Sequence, residues 1–157
     1  AHEGNFCGCG RRGCLEAEAS RLAISAEVAK AAYRGEAPYL REQVGLDIAD
    51  IRSGALADAV AHGDRVVEEI IRTAARKIGI AIANVVHVVA PDTVVLGGGL
   101  VEAMPSLFVE EVARSANGRV MPSFVDSFKV VAAELGDYST VKGAAAWTRS
   151  VVMQSNA

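Results

Sequence analysis

Residues 92–99 read DTVVLGGG, and the predicted fold class follows from this stretch and its surroundings. A short apolar, β-branched run at 93–96 indicates a buried strand, and three glycines follow it directly. A helical pattern (104–118), a second apolar run (128–135) and a closing helical pattern (136–152) come next. This strand, helix, strand, helix order predicts an α/β fold in which helices pack on a small parallel sheet.

The part of the chain before this strand is predicted to be helical. Apolar residues at helical spacing predict a helix over 14–35, a short helix or turn at 37–45 and a helix with Ser53 as its N-cap. One long helix is predicted over 64–89, ending before Pro91, and its apolar side should form the core of the domain.

The composition excludes several classes of partner. The chain has 157 residues, of which 51% are hydrophobic, and a net charge of −3, so one domain with a real core is expected. No Lys/Arg run suggests nucleic-acid or anionic-membrane binding, and the longest apolar run is too short to span a bilayer. The first residues lack the features of a signal peptide. We expect a cytoplasmic protein without a membrane partner, which binds nucleic acid only if a DNA-binding domain lies upstream.

The three cysteines of the chain lie together in the sequence CGCGRRGC, which we call the cysteine knuckle (residues 7–14). Cys7 and Cys9 are too close for a relaxed disulfide, and a disulfide framework needs an even number of cysteines. The intervening glycines allow a tight turn that would bring three sulfur atoms to one metal, and zinc is the ion that such thiolates suit best. His2 could complete the ligand set. The alternative is a loop of three reduced cysteines that holds no metal.

The glycines at 97–99 have two possible roles. Ligands of open α/β sheets bind beyond the carboxyl ends of the strands, where this turn is expected. The turn is not a P-loop, because no Gly-Lys-Ser/Thr follows, and Glu102 stands where a dinucleotide fingerprint needs its third glycine. From the residues alone, a turn that serves only close packing is an equal alternative.

Three stretches resemble one known family. CGCGRRGCLE (7–16) is similar to the C-x-C-G-x-x-G-C-x-E signature of the ROK family of sugar kinases and transcriptional repressors. APDTVVLGGGL (90–100) and AELGDYSTVKGAAAW (133–147) resemble two further family stretches, in the same order. The resemblance implies that residues 1–157 form the C-terminal lobe of an actin-like ATPase (ribonuclease H-like) sugar kinase fold, with the N-terminal lobe absent.

The resemblance also implies roles for residues in and beside the knuckle. Cys7, Cys9 and Cys14 would bind a structural zinc ion. The family's fourth ligand, a histidine, would lie upstream of Ala1, and His2 has the wrong spacing to replace it. Glu16 matches a family glutamate that binds the hydroxyls of a hexose or N-acetylhexosamine. The alternative for Glu16 is a first-turn glutamate that interacts only with the helix dipole.

The same resemblance assigns Gly97, Gly98 and Gly99, in the turn 96–100, to the border of an ATP site that works with Mg²⁺. The family's phosphate-binding D-x-G-x-T turn and its catalytic aspartate do not occur in these residues. We therefore expect this chain to be inactive by itself, and its uncovered surfaces to favour a homo-oligomer.

Three functions compete at this point. The first is the C-terminal part of an ATP-dependent, glucokinase-like hexose kinase. The second is the effector-binding lobe of a sugar-responsive ROK repressor, and the third is a zinc-knuckle interaction module outside the family. The nucleotide turn favours the kinase, because a repressor has less need of contacts with ATP.

Overall fold

The computed structural model describes residues 4–155 of the chain. The region before the first strand is helical, with short connections. Its helices are α1 (Leu15–Ala19), α2 (Arg21–Tyr33), α3 (Pro38–Val44), α4 (Ser53–Ala61) and α5 (Arg65–Val89).

The sheet consists of two parallel strands, as predicted. Strand β1 (Thr93–Leu96) pairs with β2 (Lys129–Ala132), with Thr93 opposite Lys129 and Leu96 opposite Ala132. The connection between them contains α6 (Gly99–Ala103), α7 (Pro105–Asn117) and a 3₁₀ turn at Pro122–Phe124. A second 3₁₀ turn (Gly136–Tyr138) leads into α8 (Ser139–Ser155). The α/β class and the small sheet with packed helices are therefore confirmed.

The long helix α5 forms the centre of the packing, as predicted. Its buried side chains include Val67, Ile71 and Val86, and α7 packs along it. The larger hydrophobic cluster joins α5 to α2, α3, α4 and α7, and a smaller one surrounds Val86 and Phe128 near the sheet. Burial of this apolar face, rather than local propensity, stabilises a helix of this length in the domain.

Three local predictions were wrong. The helix expected over 14–35 is two helices, because Ser20 adopts an extended backbone and its side chain accepts a hydrogen bond from the Ala23 amide, which caps α2. Ser53 is the first residue of α4 rather than its N-cap, which is Arg52. Strand β1 was predicted to be buried, but its residues alternate between exposed and half-buried, because one face of the two-stranded sheet is uncovered. The short helix α6 after the glycines was a further element that the sequence analysis did not anticipate.

Some apolar surface is uncovered in this structure. Val95 and Val131 alternate outward from the two strands and are 61% and 37% exposed, and Trp147 of α8 is 73% exposed. Such surface is consistent with association, but the homo-oligomer stays a prediction. Among residues 4–155, no helix combines the length and the apolar character needed to cross a membrane.

Candidate functional site

The cysteine knuckle is a small hairpin held by its own backbone. Phe6 and Arg12 form an antiparallel bridge, and the Cys7 amide donates to the Arg11 carbonyl at 2.8 Å. The Gly10 amide closes the tip on the Cys7 carbonyl at 2.9 Å, with a φ of +83° at Gly10 that favours glycine. The hairpin therefore turns its three cysteines toward one point.

The three sulfur atoms are spaced as a metal site requires. The Sγ atoms of Cys7, Cys9 and Cys14 all lie within 4.8 Å of one another, and those of Cys9 and Cys14 are 3.6 Å apart. A tetrahedral zinc ion with bonds of about 2.3 Å holds its sulfur ligands about 3.8 Å apart. All three cysteines are free thiols. Their number, softness and spacing fit a zinc ion.

A tetrahedral zinc site needs a fourth ligand, and the residues that the structure describes do not offer one beside the three sulfurs. Between residues 4 and 155, no histidine or carboxylate joins the three sulfurs in a metal-sized cluster. His2, which the sequence offered as a candidate, lies outside the described residues.

Crowding of the thiols perturbs their acidity. Contacts with Cys9, and then with Cys7, raise the pKa of Cys14 to about 11. The pKa of Cys9 is lowered, mainly by a hydrogen bond with the Arg11 backbone. The Cys14 thiol therefore resists ionisation beside its neighbours, because adjacent thiolates repel. A divalent cation would bind all three as thiolates and release their protons.

Helix α1 links the knuckle to a groove. Cys14 is the N-cap residue of α1, and Glu16 lies two residues further along. Glu16 lines a groove of about 470 Å³ between α1 and the carboxyl end of β1, and Gly97 lines the same groove. The structure thus brings together two residues that the sequence places 81 positions apart.

The groove continues past the glycine turn. A second section of about 410 Å³ shares Gly97 and Phe108 with the first and adds Gly98, Gly99 and Ser53. Neither Ser53 nor Phe108 was predicted as a site residue, because only the fold places α4 and α7 beside the turn. The predicted sugar residue and the predicted nucleotide residues therefore line adjoining parts of one depression.

The three glycines of the turn differ in why a larger side chain would be unfavourable there. Gly98 has φ +102° and ψ 160°, a conformation essentially restricted to glycine. A Cβ on Gly99 would lie 3.2 Å from Ser53 Oγ, so its small size serves packing against α4. A Cβ on Gly97 would meet only Ala133 at 3.6 Å, an ordinary contact that leaves space on the groove side.

The chain has a parallel sheet with packed helices, and a cysteine knuckle beside a groove at the carboxyl end of a strand. These features define the class: part of an actin-like ATPase fold, as found in sugar kinases. The chain belongs to the ROK family, whose model matches residues 1–151. The predicted family membership is confirmed.

Relatives in this family include an enzyme and a regulator. The chain is 33% identical to a glucokinase of Thermotoga maritima over 143 residues, which cover 90% of this chain and 44% of that protein. It is 29% identical to a xylose repressor of Caldicellulosiruptor bescii over 140 residues, 88% of this chain and 34% of that protein. The chain therefore spans less than half the length of these relatives.

A solved structure shares the fold. A ROK family glucokinase from Streptomyces griseus, in complex with glucose and AMPPNP, superposes with a TM-score of 0.73 at 26% identity. The match covers 87% of this chain and 44% of that one.

Proposed function

We propose that this chain is the C-terminal part of an ATP-dependent hexose kinase of the glucokinase type. The observation that carries the proposal is the shared groove, in which Glu16 and Gly97 line one section and Gly97, Gly98 and Gly99 line the next. A phosphoryl transfer from ATP to a sugar needs such adjoining sites, because the two reactants must meet in one geometry. The Thermotoga glucokinase and the Streptomyces glucokinase structure support this proposal.

The sugar site is assigned to Glu16 and the apolar wall beside it. A carboxylate accepts hydrogen bonds from two neighbouring hydroxyls of a hexose or N-acetylhexosamine, and bonds to a charged acceptor are the stronger kind. Glu16 is exposed to the groove, with Ile78 and Val101 in the same wall. These apolar side chains would face the C–H groups of the sugar ring.

The nucleotide site is assigned to the glycine turn. The adenosine end of ATP would approach the backbone at Gly97 and Gly98, where no side chain intervenes, and Mg²⁺ would enter with the phosphates. The catalytic aspartate and the phosphate-binding turn are assigned to the remainder of the complete protein. Residues 1–157 by themselves would therefore bind without catalysing transfer.

The zinc ion is assigned a positioning role at Cys7, Cys9 and Cys14. Because Cys14 is the N-cap of α1, a metal bound there would fix the start of the helix that carries Glu16. The ion would cross-link the hairpin to this helix and would take no part in the transfer.

Titration calorimetry of the complete protein with a panel of hexoses tests the sugar site. Glu16→Gln keeps the size of the side chain and removes its charge, so the affinity for the sugar should fall by about 1–3 kcal/mol. Glu110→Gln is the matched control, because Glu110 is an exposed helical glutamate outside the groove. Equal affinities in both variants would contradict the role of Glu16.

A second candidate function is the effector-binding lobe of a sugar-responsive repressor. The match to the xylose repressor over 88% of this chain favours it. In such a protein the lobe would serve as a sugar sensor. Hexose binding that depends on Glu16, without ADP release in the presence of ATP and Mg²⁺, would support the repressor over the kinase.

A further inference from the structure

A second glutamate of α1 points away from the groove. Glu18 and Glu16 are two residues apart, which places them about 200° apart around a helix. Glu18 Oε1 accepts a hydrogen bond from the Asn5 amide at 2.6 Å, and Glu18 Oε2 accepts one from Lys77 Nζ at 2.5 Å. One carboxylate therefore joins Asn5, just before the knuckle, to Lys77 of α5. Lys77 lies 59 positions after Glu18 in the sequence.

This contact differs from an ordinary surface ion pair. The Glu18 side chain is only 16% exposed, and each of its oxygens has its own partner. Lys77 and the Asn5 amide hold the pKa of Glu18 below its usual value, so the carboxylate is charged at neutral pH. Exposed pairs contribute little because water competes for both charges, whereas a shielded, charge-assisted contact is stronger.

The surrounding chain is packed against this carboxylate. Gly4 has a φ of +136°, and a Cβ added there would lie 2.8 Å from Glu18 Oε1 and 2.7 Å from the Cα of Gly13. Only glycine fits at that place, so the hairpin closes directly on Glu18.

Helix α1 needs such an anchor. It has five residues, too few to be stable in isolation, and Ser20 separates it from α2. Its orientation must therefore come from its contacts with the rest of the chain.

We propose that Glu18, together with Lys77, is a positioning residue that clamps α1 between the cysteine knuckle and α5, so that Glu16 on the opposite side is held toward the groove. This inference rests on the proposed role of Glu16 in sugar binding. Glu18 touches neither sugar nor metal in this account, and it acts through the orientation of the helix.

The test compares variants of the complete protein by sugar titration and steady-state kinetics. Glu18→Ala removes both contacts, and Lys77→Met removes the ammonium group while keeping the apolar stem and the Asn5 bond. Each of the two variants should weaken sugar affinity at least about threefold, because each loses part of a shielded contact between charged groups. The KM for the sugar should rise while kcat at saturating sugar stays near that of wild type, because the bound sugar restores the orientation of Glu16.

Two further measurements separate positioning from general destabilisation. Hydrogen exchange at the Asn5 amide should accelerate in Glu18→Ala and less in Lys77→Met. Release of zinc to a chelator should accelerate in Glu18→Ala, since the hairpin loses its link to α1. Glu27→Ala is the control, because Glu27 lines the same cavity as Glu18 and Lys77, but its carboxylate pairs with Lys30 within α2, where the two side chains are 51% and 63% exposed.

The outcomes distinguish this inference from the proposed function. If Glu16→Gln weakens sugar binding and both clamp variants bind sugar like Glu27→Ala, the clamp is overturned and the sugar site stands. If Glu16→Gln leaves sugar affinity unchanged, the proposed sugar site is wrong. The positioning role of Glu18 is then wrong as well, even if hydrogen exchange at the Asn5 amide changes in Glu18→Ala. If Glu18→Ala does not fold, Lys77→Met alone decides, because the Lys77 side chain is 39% exposed and its loss leaves the hairpin bond in place.

Discussion

Replacing Gly79 with alanine should push helices α5 and α7 apart. Gly79 is buried on α5 where α7 crosses it, and a Cβ there would lie 2.5 Å from Ser115 Cβ and 2.8 Å from the Val112 carbonyl oxygen. The carbonyl belongs to the backbone of α7, so a side-chain rotation cannot relieve the contact. Ser115 Oγ donates to the Arg76 carbonyl at 2.8 Å, and this bond would also be disturbed.

The magnitude follows from three effects. Overpacking at a helix crossing costs about 1–3 kcal/mol, and loss of the Ser115 bond costs about 1 kcal/mol. Alanine returns about 1 kcal/mol through its higher helix propensity. Gly79→Ala should therefore lower the free energy of unfolding by about 1–3 kcal/mol, measured by urea unfolding of the complete protein.

Gly54→Ala provides the matched control. Gly54 lies in α4, with nothing within 4 Å of an added Cβ, so the same substitution should stabilise by about 0.4–1 kcal/mol. Gly79→Ala with stability equal to or above wild type would refute the close approach of α5 and α7.

Three further perturbations test the site. Metal analysis should find about one zinc ion per chain in the wild-type protein and a loss in Cys9→Ser; wild-type protein without zinc would contradict the metal site. Gly98→Ala should destabilise by about 1–3 kcal/mol in urea unfolding, because only glycine tolerates that backbone conformation; an unchanged midpoint would contradict the turn geometry. The lowered pKa of Glu18, caused first by Lys77, means that the pair stabilises the fold above the ordinary glutamate pKa of about 4.3. That stabilisation is lost as the pH falls below the ordinary value and through the lowered one. The difference in unfolding free energy between wild type and Lys77→Met should therefore be constant at neutral pH and shrink below about pH 4.3; a difference that does not change with acidification would contradict the pairing.

The sequence could predict the features that depend on the spacing of nearby residues. The spacing of the cysteines predicted that their sulfur atoms would converge, and they lie within 4.8 Å of one another. The apolar period over 64–89 predicted α5, which the structure places at Arg65–Val89. The change of period at 93–96 predicted β1, because a strand and a helix bury their side chains with different periods.

The features that the sequence could not predict depend on competition or on distant contacts. The helical pattern of apolar residues continues through Ser20. The Ser20 hydroxyl, however, caps α2 and thereby ends α1, and the spacing of apolar residues gives no sign of this cap. The Glu18–Lys77 contact joins residues 59 positions apart, and the groove that Glu16 and Gly97 share depends on the packing of α1 on α5. Only the folded chain defines these pairs.

The most direct test of the central claim is hexose-dependent ADP release by the complete protein, measured in a coupled assay with ATP and Mg²⁺. The kinase proposal predicts turnover with at least one hexose or N-acetylhexosamine, a background rate without sugar, and a raised sugar KM in Glu16→Gln but not in Glu110→Gln. Absence of turnover with every sugar, in protein that carries zinc and binds ATP, would contradict it.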